Sequence, residues 1–255
     1  MELEELNAVQ QPEPDTIRKL PWLIDVFCYP TSVPGLTILG IYVFTPVILS
    51  LAMSALSSVL GPLSVLLMPL GLVFLIINIV VSAYMFWYFG LCIRQSASGL
   101  VRAPETLNTG MQDDFPEMAM DLLRIVCCAA VCLGPGLIYY SFTKRMDWVL
   151  WLLLGLGIFF MPMALLATVM FGSFDGLNPT VIIPSIFSTF LGYCASVLAL
   201  CVPVAIALGV MVFLPKDSNH AAALAVLLRV LYAYLALVVA HILGRFYYRN
   251  AERLY

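Results

Sequence analysis

The chain has 255 residues, of which 62% are hydrophobic and 11% are charged. An average soluble domain is about 45–50% apolar and about 25% charged, so this composition excludes a soluble globular domain, a disordered chain, a collagen and a coiled coil. The net charge of −3 is small and gives no reason to expect nucleic acid as a partner. The composition predicts an all-α, polytopic integral membrane protein with a single transmembrane domain.

The chain begins with an acidic tail at 1–16, followed at 17–33 by a segment that mixes apolar and aromatic residues with a few charges. We expect the tail to be cytoplasmic and the segment to be an amphipathic anchor in the membrane interface. A contact with a lipid or a partner protein is the alternative role for this segment. Because an acidic rather than a basic stretch precedes the first apolar run, we do not expect a cleavable signal peptide.

The first two membrane spans are predicted from one long uncharged run. No residue between Asp25 and Arg94 carries a charge, and about 20 apolar residues are enough to cross a bilayer. The run is therefore long enough for two helices, and Gly61-Pro62 marks the break between them. The predicted spans are 34–60 and 64–93.

Four more spans are predicted in the rest of the chain, after a cytoplasmic amphipathic loop at 94–118. The uncharged run Gly176–Pro215 is longer than one span requires, so its first part, 176–189, either crosses, re-enters or lies in the interface. Five or seven spans in total are the alternatives to six. The four predicted spans are 120–142, 148–172, 190–214 and 220–244.

The distribution of Lys and Arg near the span ends predicts the orientation. The more basic side holds Arg18, Lys19, Arg94, Arg102, Arg245, Arg249 and Arg253. The other side holds Lys144, Arg145 and Lys216. Since basic residues are enriched in cytoplasmic loops, we expect a multi-pass protein of the cell membrane, the inner membrane of a prokaryote, with both termini in the cytoplasm.

Arg229 is the most informative single residue, because it lies well inside the predicted last span. A charge at such a depth costs about 2.5–3.5 kcal/mol on insertion scales, so the side chain should face other helices or a wet cavity. Helical spacing places the small residues Ala236, Ala240 and Gly244 near the same face, where they favour close helix packing. The functional interpretation of Arg229 is a site for a substrate, an ion or a lipid headgroup. The alternative is a structural, hydrogen-bonded arginine, or an arginine near the membrane surface because the span starts later than predicted. Its expected partners are Asn78, Tyr193 or the carbonyls that Pro203 frees.

Other polar residues are predicted to act at helix interfaces or at the membrane surface. Asp121 and Arg124 are three positions apart, so they can pair on one helix face, and Asn78 can hydrogen-bond between helices. The basic, aromatic C-terminal tail at 245–255 carries one arginine per helical turn. These arginines are candidates for contact with anionic lipid headgroups: Arg245, Arg249 and Arg253.

The sequence gives no catalytic or cofactor signature. It contains no HExxH, GxSxG, GxxxxGK[ST] or strand-linked GxGxxG pattern. The seven cysteines lie inside or beside the spans without ligand spacing, which is typical of packing residues and not of a disulfide framework or a metal site. We therefore expect no enzyme activity, no metal and no cofactor.

Two stretches resemble an uncharacterised family of prokaryotic polytopic membrane proteins that is catalogued only as a domain of unknown function. The first, YFGLCIRQSASGLVRAPETLNTGMQDDFPEMAMDLLRIV, covers Tyr88–Val126. It is similar in an Arg-containing span end, a Gly-x-x-x-x-Pro-Glu loop and an acidic stretch, at positions Arg94, Gly99, Pro104, Glu105, Asp113 and Asp114. The second covers Met161–Leu200. The resemblance implies a helical membrane topology and no particular activity.

The leading functional hypothesis is a non-enzymatic accessory or scaffold component of a membrane assembly. Its partners would be the lipid bilayer and either other membrane proteins or a second copy of the chain. The alternative is a small permease, a channel-like protein or a lipid-binding transport protein. A transporter should show polar residues along a path through the membrane and broken helices in paired repeats, whereas the polar residues inside these spans are sparse.

Overall fold

The computed structural model describes residues 22–61, 68–105, 115–213 and 221–254. This part of the chain is helical and contains no β-strand. The predicted acidic tail at 1–16 and the beginning of the segment at 17–33 lie outside the described residues. The helices are α1 (Trp22–Cys28), α2 (Val33–Leu60), α3 (Met68–Ala97), α4 (Phe115–Thr143), α5 (Trp148–Phe171), α6 (Pro179–Ser188), α7 (Phe190–Phe213) and α8 (Ala221–Asn250).

Helices α2, α3, α4, α5 and α8 are each long and apolar enough to cross a membrane. Helices α6 and α7 meet at Thr189 with a bend of 99°, and the pair is long and apolar enough for either a broken span or a re-entrant loop. This bend shows that 176–189 is not a straight extension of the predicted span at 190–214. The described chain thus has the five or six long apolar helices of a multi-pass membrane protein.

Several helices extend beyond the predicted spans at their polar ends. Helix α3 continues to Ala97 and α4 already begins at Phe115, so the predicted loop at 94–118 is shorter than expected; residues 106–114 lie outside the described part. Helix α8 passes the predicted end at 244 and reaches Asn250. Hydropathy detects where an apolar run ends, whereas the backbone hydrogen bonds of a helix continue into polar turns.

Local signals explain where some helices start and stop. The Asp147 side chain accepts a hydrogen bond from the backbone N–H of Leu150 at 3.2 Å and caps the start of α5. Asn178 caps α6 in the same way, with Pro179 at the first helical position. Helix α5 ends at Gly172, whose φ of 60° is the left-handed conformation that glycine adopts without steric cost.

Helix α8 is central, because it packs against α2, α3, α7 and α1. Helices α4 and α5 form an antiparallel pair in which Gly157 allows close approach. A Cβ atom at Gly157 would lie 2.3 Å from the carbonyl oxygen of Cys132, so no larger residue fits without a backbone shift. Close packing through small residues is the usual way in which membrane helices associate.

The buried core lies toward one end of the bundle. We call this the closed end: it is where α3 and α8 finish and α4 begins, and the opposite end is the open end. Buried residues of α3 occur only from Ala83 to Ala97, and among the side chains of α8 that the structure describes, from 223 on, the buried ones begin at Ala233. Helix α2 has no buried residue after Pro46. Toward the open end the same helices expose large apolar side chains, as expected where lipid covers them.

The short helix α1 and the turn after it lie against α8. Val26 and Tyr29 are buried, whereas Ile24 and Phe27 are about half exposed. The hydroxyl of Tyr234 on α8 donates a hydrogen bond to the carbonyl of Phe27. The segment therefore has one packed face and one exposed apolar face, and its place in the membrane interface stays a prediction.

Candidate intramembrane arginine site

Arg229 lies at the contact between α8 and α2. Its Nε donates a hydrogen bond to the carbonyl oxygen of Tyr42 at 3.1 Å, and its guanidinium carbon lies 4.2 Å from the centre of the Tyr42 ring. The carbonyl is free for this bond because the residue four positions later is Pro46, which has no N–H to complete the helical hydrogen bond. The site is thus a cation held by a proline-freed carbonyl and an aromatic face.

Carbonyls freed by a proline were among the expected partners of Arg229, but the residues named were wrong. We expected carbonyls freed by Pro203, and the structure uses the one freed by Pro46 on another helix. Asn78 instead donates to the carbonyl of Phe74 on its own helix at 2.9 Å. The hydroxyl of Tyr193 donates to the carbonyl of Phe159. The error arose because sequence spacing identifies a free carbonyl without telling which helix lies beside it.

Arg229 has no negative partner in the part of the chain that the structure describes. Helices α2, α3, α5, α7 and α8 contain no Asp or Glu at all. The acidic residues of the long helices are Glu117 and Asp121, both near the start of α4, and Asp121 already pairs with two other arginines. Within the described residues, the positive charge of Arg229 is therefore balanced by the Tyr42 carbonyl and the Tyr42 ring alone.

The depth of Arg229 follows from helix geometry. His241 on α8 is hydrogen-bonded to Ser96, which lies two residues after Arg94 in the last turn of α3. Arg229 precedes His241 by twelve residues, which is about 18 Å along a helix. Because the hydrocarbon core is about 30 Å thick, a membrane that begins near the Arg94 level places Arg229 close to its middle.

Arg229 stands at the rim of the helix contact and is itself partly buried. Ala233, one turn closer to the closed end, is 1% exposed, whereas Tyr232 is 62% exposed. Ala225, one turn toward the open end, is exposed as well. Arg229 therefore lies where the packed core of the bundle gives way to the exposed apolar surfaces.

A second polar cluster closes the bundle between α3 and α4. Asp121 is 3% exposed and accepts a hydrogen bond from Arg94 at 2.6 Å and another from Arg124 at 2.7 Å. The pairing of Asp121 with Arg124 matches the expectation from their spacing. The part played by Arg94 was missed, although opposite charges at the adjoining ends of two successive helices are a signal for such a pair.

A third cluster surrounds His241 on α8. It is 0% exposed, its Nδ1 lies 2.8 Å from the Ser96 hydroxyl, and its ring stacks on Tyr29 with 4.2 Å between centroids. Burial raises the pKa of Tyr29 far above its usual range, so this phenol stays neutral. The cluster fastens the turn after α1 to α3 and α8.

The predicted small-residue face of α8 contacts α3. Ala240 is fully buried, Ala236 is partly buried, and a Cβ atom at Gly244 would lie 2.5 Å from the carbonyl oxygen of Ile93. This face therefore packs against α3 near the closed end, while Arg229 contacts α2. Residues on one face of α8 contact different helices along its length because packed helices cross at an angle.

The three C-terminal arginines have different surroundings. Arg245 is 9% exposed, donates to the carbonyl of Gly99 at 3.1 Å and lies beside the Tyr248 ring. Arg249 is exposed, and the side chain of Arg253 is outside the description. Arg245 is thus tied to the loop after α3, whereas the exposed position of Arg249 is compatible with the proposed headgroup contact.

No group of three or more His, Cys, Asp or Glu side chains able to hold a metal occurs among the described residues. Comparison with known proteins adds no family: no family model, no curated protein and no solved structure matches the chain. The resemblance to the uncharacterised membrane family therefore stays a hypothesis drawn from the sequence.

Proposed function

We propose that the protein is a non-enzymatic accessory or scaffold component of a membrane assembly. One observation carries this proposal: Arg229 is a cation near the middle of the membrane helices, at the rim of a helix contact, with no carboxylate among the described residues to neutralise it. An intramembrane charge is costly, and such residues mark sites of function or assembly. A partner that supplies the missing negative charge would explain why the cost is tolerated.

The proposed topology has six spans with both termini in the cytoplasm of a prokaryotic cell. It treats α6 and α7 as one broken span. The closed end, which holds Arg94, Arg124, Arg245 and Arg249, is then the cytoplasmic one, and the α4–α5 turn with Lys144 and Arg145 is external. The segment before α2 then lies in the cytoplasmic interface, where its exposed Ile24 and Phe27 meet lipid.

The scaffold role is favoured over transport by the distribution of polar side chains. Most Ser and Thr hydroxyl groups in the described helices bond to the carbonyl three or four residues earlier on their own helix, as Ser50, Ser57 and Thr168 do. Such groups are satisfied locally and offer little to a solute. The polar clusters around Asp121 and His241 are buried at the closed end, where they fasten helices together.

A small permease or lipid-binding transporter is the second candidate, and the 99° break between α6 and α7 favours it. Discontinuous helices form the binding sites of many secondary transporters. In that case Arg229 would bind an anionic substrate and the break would act as a hinge.

Affinity purification in a mild detergent, followed by mass spectrometry of proteins and lipids, separates the two candidates. Wild type, Arg229→Ala and Arg145→Ala are compared, since Arg145 is an exposed arginine in the α4–α5 turn and serves as the matched control. The scaffold proposal expects a stoichiometric protein partner in wild type and in Arg145→Ala. A chain that purifies alone, with a small molecule that Arg229→Ala loses, would favour the transporter instead.

A further inference from the structure

We propose that the Arg229 site binds a carboxylate carried near the middle of a transmembrane helix of a partner protein. This inference rests on the proposed scaffold function and specifies the chemistry of its partner. It joins three observations: an unneutralised guanidinium, open hydrogen-bond donors and an exposed helical surface at the same depth.

The donor groups of Arg229 are only partly used. Nε bonds to the Tyr42 carbonyl, and neither Nη atom has a hydrogen bond recorded within the described residues. A carboxylate matches two parallel N–H groups of a guanidinium, which makes an Asp or Glu the best-fitting acceptor. The carbonyl and the ring of Tyr42 hold the guanidinium in place, so little side-chain entropy remains to be lost when the partner binds.

The surface beside Arg229 suits a helix. Tyr232 on α8 is 62% exposed, and Ala225 is an exposed small residue one turn from Arg229. A small side chain lets a second helix approach closely. Apolar contact alone gives membrane helices little specificity, because lipid tails are equally apolar. The charge pair would therefore select the partner and fix its depth.

The depth of the site favours a helix over a lipid headgroup. Arg229 lies about 18 Å along α8 from His241, which is close to the middle of a core about 30 Å thick. Headgroups remain at the surface of the bilayer, whereas a residue in a spanning helix is held at mid-depth. A free fatty acid could bring a carboxylate there only by burying its charge, so it serves as the competing outcome of the test.

The probe is a synthetic leucine-rich transmembrane helix with one central Asp, paired with an otherwise identical helix that carries Asn. Full-length protein and labelled helix are reconstituted in phosphatidylcholine vesicles, and energy transfer between them gives the dissociation constant. We expect wild type to prefer the Asp helix about tenfold, which corresponds to about 1.4 kcal/mol. Arg229→Met should abolish this preference, Arg229→Lys should keep part of it, and Arg145→Ala should keep all of it.

Equal binding of the Asp and Asn helices to wild type would overturn the inference, as would an Asp preference that survives in Arg229→Met. Saturable binding of oleate that depends on Arg229, without a preference for the Asp helix, would reassign the site to a lipid anion. Arg229→Lys retains the positive charge, so a partial Asp preference in this variant shows that the loss in Arg229→Met is not caused by a folding defect. The proposed scaffold function has a separate test: it fails if purification of the wild-type protein yields no protein partner. If wild type and Arg229→Ala capture the same partner in equal amounts, only the inference about Arg229 is overturned.

Discussion

Replacing Gly244 by Ala tests the packing of α8 on α3. The added Cβ would lie 2.4 Å from the Ser96 Cβ, 2.5 Å from the Ile93 carbonyl oxygen and 3.0 Å from the Ala97 nitrogen. Two of these atoms belong to the backbone, so the helices must move apart. Overpacking of this kind costs about 1–3 kcal/mol, and the better helix propensity of Ala returns about 0.5–1 kcal/mol. We expect a net loss of about 1 kcal/mol and a Tm lower by about 2–4 °C.

The assay follows the exposure of buried thiols on heating in detergent with a dye that fluoresces on reaction with cysteine. Cys92 and Cys128 are fully buried, so they report the loss of the core. Gly71→Ala is the matched control, since no atom lies within 4 Å of a Cβ at that position. It should leave Tm unchanged or raise it. If Gly244→Ala melts no lower than Gly71→Ala, the close contact of α8 with α3 is wrong.

Two further predictions concern carboxylates. Asp121→Asn leaves Arg94 and Arg124 without their anion and should destabilise the protein by about 3–5 kcal/mol in the same assay. The control Glu117→Gln alters an exposed residue of the same helix and should have little effect. Similar Tm values for the two variants would refute the stabilising role of the Asp121 ion pairs. The pKa of the Asp147 carboxyl is lowered from its ordinary value, mainly by the hydrogen bond from Tyr139, so its cap on α5 should persist above that ordinary value and be lost as the pH falls through the lowered one. The protection factor at the start of α5, which is the intrinsic hydrogen-exchange rate divided by the observed rate, should therefore fall at acid pH in wild type and change little with pH in Asp147→Asn.

The sequence predicted the class of protein and the approximate position of most long helices. Hydropathy is sufficient here because each spanning helix must satisfy its backbone within itself and present apolar side chains to lipid. The predicted helix ends were less accurate, because α3 and α8 continue past the apolar runs into polar turns. The 99° bend at Thr189 was left open, because a long apolar run contains no information on the angle between its two parts.

Single residues were identified more reliably than their contacts. Arg229 was selected because any charge within an apolar helix is costly, and Gly244 because it lies on a face of small residues. The Arg229 partner on α2, the participation of Arg94 in the Asp121 cluster and the burial of Arg245 were not predicted. Each depends on which helices are neighbours, and one sequence gives no such distances.

The sequence by itself determined that this is a helical, multi-pass chain with one charge deep in its last long helix, since these properties depend on local composition and helix periodicity. Only the tertiary structure decided that Arg229 meets the carbonyl freed by Pro46, that His241 stacks on Tyr29, and that the core is confined to one end of the bundle. The physical reason is that lipid accepts every apolar face equally. Which helices pack together is therefore fixed by close-packed glycines and a few polar bonds between residues far apart in the chain.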